Sequence, residues 1–187
     1  QALILDSPGL DSLEQPLEKL LEEAAQADLI LWVASAVRAD RELDARALDA
    51  IREYFSKRPN RRRPPMLLVL SHVDRLRPMQ EWKPPYDLAD EANPKAASIR
   101  AAIDAAGGDL GFSANDVVPA CLDAKAGVYN VDAVWAEIME LMPEAQRAQL
   151  VRTLQDLDRG FDWRRLRTQA VNAGRILAQA VLSGNSR

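Results

Sequence analysis

Met66-Leu67-Leu68-Val69-Leu70-Ser71-His72-Val73-Asp74 is the stretch that decides how this 187-residue chain is read. Five apolar residues follow one another without alternation, the pattern of a strand buried on both faces, and polar groups crowd in directly after them. Working upstream past the polar turn Arg58 to Pro65, Leu29 to Ala34 is a second continuous apolar run, followed by Leu43, Ala47, Leu48, Ile51 and Phe55 at helical spacing behind Asp40. Further back, Ala2 to Leu5 is a short apolar run that ends at Asp6 and the turn Ser7-Pro8-Gly9, read as a buried strand. Ser12 and Gln15 form a capping box for a helix with Leu13, Leu17, Leu20, Leu21 and Ala24 on one face. Downstream, Ala96 to Ala106 reads as a helix ended by Gly107-Gly108, Val117 to Cys121 as a weaker strand, and Val131, Val134, Trp135, Ile138 and Met142 as another helix.

Strands that are apolar throughout, each followed by an amphipathic helix, predict an α/β domain: three layers, a doubly wound and mostly parallel sheet, both faces covered. In such sheets ligands sit outside the carboxyl ends of the strands. The residues just after each run are therefore the candidates for chemistry.

Composition limits what those residues can do. A chain 48% apolar and 28% charged has enough core for one domain with an appendage. A single cysteine, Cys121, rules out an intramolecular disulfide, and with one histidine a zinc site is not expected. A reducing, cytoplasmic compartment is the expectation. The opening QALILDSPG meets Asp6 too soon for a signal peptide, and no apolar run approaches the length of a membrane span. The chain opens on Gln1, directly on a strand-like run, and is expected to be an N-terminally truncated fragment.

Three strand ends carry polar signatures in a telling order: Asp6-Ser7-Pro8-Gly9, then Ser71-His72-Val73-Asp74, then Cys121-Leu122-Asp123. In that order they resemble the later motifs of the P-loop GTPase superfamily, D-x-x-G, [NT]-K-x-D and a short S-A-K-like segment. The likeness is to its bacterial Era-like branch, of the HSR-related, 50S-ribosome-binding type. It covers Gln1 to about Met142, so residues 1–142 are expected to be a partial G domain and 143–187 an amphipathic helical extension.

The resemblance implies a GTP-binding and GTP-hydrolysing switch protein that uses GTP, GDP and Mg²⁺. Asp6 aligns with the aspartate that holds the metal through water, and the N–H of Gly9 with the donor that senses the γ-phosphate. Asp74 aligns with the carboxylate that accepts from guanine N1 and N2, a match adenine cannot supply. Ser71 stands for the family Asn or Thr, and His72 for the Lys whose stem covers one face of the base, where an imidazole would stack instead. Cys121 and Leu122 fall in the last motif, the Leu122 N–H where it would meet guanine O6, with Asp123 in place of the usual lysine. Leu10 stands where some GTPases place the glutamine that orients water, so no catalytic residue is assigned. The 187 residues contain no Gly-x-x-x-x-Gly-Lys-[ST] loop and no switch threonine, so this chain alone is expected to bind GTP weakly or not at all.

Other features have plainer readings. Trp32, Trp135 and Met142 read as core, Cys121 as a small buried hydrophobe, and Arg61-Arg62-Arg63 as a solvated turn or an anion contact. The long stretch Arg75 to Pro94, with Pro78, Pro84, Pro85, Trp82 and Tyr86, is either a cover for the nucleotide, a partner surface or an insertion without a role. From Pro143 onward eight arginines face four acidic residues, a balance of +4 that leaves −8 for residues 1–142 out of the total of −4. Leu150, Leu154, Leu157, Phe161, Leu166, Ala170, Ala173, Leu177 and Val181 form its apolar stripe. A basic amphipathic appendage on an acidic domain suits packing on that domain, docking on a protein partner, or peripheral contact with an anionic membrane. No DNA partner is expected. Two rivals stand beside the GTPase reading: a pseudo-GTPase scaffold without hydrolysis, and a partition-type ATPase, in which a strand also ends on an Asp-x-Pro-like turn. The spacing from Asp6 to Asp74 favours guanine.

Overall fold

In the computed structural model the described residues are 4–7, 17–59 and 63–142. They fall into two compact units, Ile4–Tyr129 and a second one whose described part is residues 130–142. The first unit is α/β. Its order is α1 (Leu17–Gln26), β1 (Ile30–Ser35), α2 (Glu42–Ser56), β2 (Met66–Ser71), α3 (Pro94–Leu110) and β3 (Val117–Pro119). The three strands form one parallel sheet in the order β1-β2-β3, with Ile30 opposite Met66 and Leu68 opposite Val117.

Strand order that follows chain order fixes where the helices go. Two right-handed crossovers stepping in the same direction put both helices on the same face. Trp32, Ala34, Leu68, Leu70 and Val117 accordingly share one buried cluster with Leu48, Ile51 and Phe55 of α2 and Ile99, Ile103 and Leu110 of α3. Leu48 and Ile51 are 0% and 1% exposed, each contributing about 1.5–3 kcal/mol by leaving water. α1 packs against α2, with Ala24 buried and Leu20 and Leu21 partly so. The indole N–H of Trp32 donates to Asp44 at 2.9 Å and pins β1 to the first turn of α2.

Several expectations change here. Ile4 and Leu5 are 79% and 63% exposed and lie outside any strand, so the buried strand expected over Ala2 to Leu5 is not formed by its described part. The reason is pairing: among the described residues β1, β2 and β3 bond only to one another, and a run of that length is not stable alone. The sheet is also not covered on both faces along β1, where Leu31 and Val33 are 41% and 56% exposed. The reversal of strand order that defines a doubly wound sheet does not occur among the described strands. The helix expected to stop at Gly107-Gly108 runs on to Leu110. Gly107 is a packing glycine, since a Cβ there would come within 3.0 Å of the Phe112 carbonyl oxygen. The stop comes at Gly111, whose φ of 69° is the left-handed cap.

In the second unit, α4 (Val131–Leu141) begins after Asn130 in the left-handed region at φ 64°. The capping box Ser12/Gln15, Leu13, Gly9, Leu10 and the whole extension 143–187 lie outside the described residues. No helix among the described residues is long and apolar enough to cross a membrane.

Candidate functional site

The carboxyl ends of β2 and β3 bring two of the three expected signatures side by side. The Ala120 N–H donates to the Leu70 carbonyl at 2.9 Å, and the Ala36 N–H to that of Ser71 at 2.8 Å, so the loops leaving all three strands start from a shared edge. Ser71 is buried, and its hydroxyl donates to the Ala34 carbonyl at 3.0 Å. That bond uses the only hydroxyl proton. The 3.0 Å contact between Ser71 Oγ and His72 Nδ1 is therefore one that an Nδ1–H imidazole donates. His72 sits at φ 60° and turns its ring outward, exposed. An exposed imidazole held at one nitrogen suits stacking on a planar ligand.

Asp74 lies in the 3-10 turn Val73–Arg75. Its side chain is only 11% exposed; Oδ2 is 3.9 Å from Arg75 Nε, and Oδ1 is buried with no hydrogen-bond partner. An orphaned buried carboxylate oxygen costs free energy unless a donor arrives. The described residues supply none to Oδ1, although the Cys121 thiol shares a hydrogen bond with the Asp74 side chain. From β3, Cys121 is buried and exchanges backbone bonds with Tyr129 at 3.0 and 2.9 Å, closing the loop between them. Burial pushes its thiol up, a bond from the Asp123 backbone pulls it back, and a hydrogen bond to the Asp74 side chain, with the Asp74 and Asp123 charges, adds to the rise. Leu122 is 61% exposed, and its N–H has no partner among the described residues. Asp123 accepts the Lys125 N–H at 2.8 Å and so serves the turn.

Ser71, His72, Asp74, Cys121 and Leu122 thus belong to adjacent loops on one sheet edge. Asp6 does not join them by any bond; it is exposed and has no hydrogen-bond or ion-pair partner among the described residues. Gly9 lies outside those residues. An open cavity of about 360 Å³ lies along the same edge, lined by Arg38, Arg41, Leu76, Arg77 and the alanine face of α3, but not by Asp74. No cluster of metal-ligating side chains occurs among the described residues.

Lys95 is the residue that sequence reasoning missed. It is 0% exposed, and its ammonium donates to the carbonyls of Asp74, at 2.8 Å, and Leu76. Burial pulls its pKa down, while the Asp74 and Glu81 charges push it back up. A signal was present: Asn93-Pro94-Lys95 is a helix start, and a cation in the first turn opposes the helix dipole. The Arg75 to Pro94 stretch is built around this lysine. Trp82 lies with its ring 5.3 Å from the ammonium and donates its indole N–H to the Ala126 carbonyl at 2.7 Å. Tyr86 donates to the Glu81 carbonyl at 2.6 Å, and Trp82, Tyr86 and Tyr129 meet ring to ring at 5.5–6.0 Å.

No family model, no curated protein and no solved structure matches this chain.

Proposed function

We propose that residues 1–142 are part of a guanine-nucleotide-binding G domain, carrying the base-reading side of the site, and that the full-length protein is a GTP-hydrolysing switch. The observation that carries the reading is Asp74: a mostly buried carboxylate at the carboxyl edge of a parallel sheet, with one oxygen lacking a donor. Guanine offers two adjacent donors, N1–H and the 2-amino group, which suit such a carboxylate. The N–H of Leu122, on the neighbouring loop and without a partner among the described residues, suits guanine O6, and the exposed His72 suits covering one face of the base.

The chemistry implied by Mg²⁺ is neutralisation of phosphate charge. Asp6, exposed and unpaired among the described residues, fits the carboxylate that would hold the ion through water. Ser71 acts through structure: its hydroxyl fixes β1 to β2 and orients His72. Phosphate affinity is expected from a loop these 187 residues do not contain, and 143–187 is proposed as the docking segment for a protein partner or an anionic membrane.

The test is Asp74→Asn in the full-length protein. The amide replaces an acceptor by a donor, so preference should move from GTP toward xanthosine triphosphate by at least about tenfold in affinity ratio. Unchanged preference in a folded variant rejects the base-reading role. Equal binding of ATP and GTP by the unmodified protein favours the partition-type rival, and tight GTP binding without single-turnover hydrolysis favours the scaffold.

A further inference from the structure

Lys95 occupies an unfavourable place for a lysine. A fully buried ammonium is more costly than a leucine or methionine of similar size, and at the first turn of α3 it also opposes the helix dipole. Stability alone does not call for a cation there. What the cation does is local: two of its three N–H groups bind the carbonyls of Asp74 and Leu76, the backbone that carries and follows the orphaned carboxylate. The Trp82 ring lies near the ammonium, and the same indole bonds to Ala126 in the loop that starts at Cys121 and Leu122. Tyr129, which closes that loop on Cys121, packs edge-on against both Trp82 and Tyr86.

We infer that Lys95 is a positioning residue which, with Trp82, sets the Asp74 carboxylate against the Leu122 N–H and so determines how sharply the site distinguishes guanine from related bases. The inference rests on the guanine-reading assignment of Asp74. It gives the Arg75 to Pro94 stretch a role as a strut joining the two base-facing loops.

The experiment compares GDP with inosine diphosphate, which lacks the 2-amino group, in competition binding to the full-length protein. Lys95→Met keeps an aliphatic side chain of similar length and removes the donors. The preference for GDP over inosine diphosphate should fall about tenfold, while the folded variant still binds both nucleotides through their phosphates. A lower melting temperature with an unchanged preference reduces Lys95 to core packing and overturns the inference. Asp74→Asn, measured in parallel, separates the two claims. Preference lost in Asp74→Asn but kept in Lys95→Met overturns the lysine's role alone; preference kept in both overturns the base-reading assignment and this inference with it. Should Lys95→Met fail to fold, Trp82→Phe retains an aromatic ring and deletes the bond to Ala126. A several-fold loss of preference then supports the strut, and no change overturns it.

Discussion

Tyr129 gives the aromatic strut a stability signature in alkaline solution. Its side chain is buried, with the residue 6% exposed, and its pKa is pushed up to about 12. Burial is the main cause, the Tyr86 phenol adds to it, and a hydrogen bond with the Tyr86 backbone pulls back. The folded chain therefore holds the phenol proton after the unfolded chain has begun to release it at the ordinary value of 10. Below that pH the contribution to stability is fully present; it is lost as pH rises from 10 toward 12. Retaining the proton across that window is worth about 2–3 kcal/mol. Cys121, also raised, adds a loss of the same sign starting above its ordinary value of 9, whereas Lys95, lowered, acts oppositely as pH approaches 10.5. Comparing the wild type with Tyr129→Phe removes those shared contributions. Urea unfolding at several pH values should show a difference between the two that is constant below pH 10 and closes by roughly this amount above it. Parallel curves throughout would refute the account.

Three shorter predictions follow from the same geometry. Native Cys121, buried and with its thiol raised, should react with iodoacetamide at least about tenfold more slowly than in the denatured chain; equal rates would place the thiol at the surface. Gly111→Ala should cost about 1–2 kcal/mol, seen as a lower melting temperature, because φ is 69° and the new Cβ meets the Arg52 guanidinium at 3.0 Å. Gly108→Ala, helical and with nothing within 4 Å of its Cβ, should be neutral or stabilising by up to about 1 kcal/mol. Equal destabilisation by the two substitutions would mean that Gly111 is not the cap.

Sequence alone was enough for the parallel α/β core. The run Met66 to Leu70 is apolar without alternation because both faces of this central strand leave water, whereas the similar run Leu29 to Ala34 forms β1 with Leu31 and Val33 exposed on one face. The placement of Ser71, His72, Asp74, Cys121 and Leu122 was legible for the same reason, since parallel strands must all end at one edge. Pairing was not legible. Ala2 to Leu5 has strand composition, yet whether such a run joins a sheet depends on a partner edge, and its described part stays exposed. Glycine was ambiguous too: Gly107 and Gly108 look like a stop, and only the close approach of Phe112 and the left-handed turn at Gly111 show where α3 ends. Lys95 is the sharpest case, because a lysine in a helical window reads as solvated until the fold surrounds it with the carbonyls of Asp74 and Leu76 and the ring of Trp82. Those partners come from residues 13 to 21 positions upstream, and only the return of the chain across the end of β2 brings them within bonding distance.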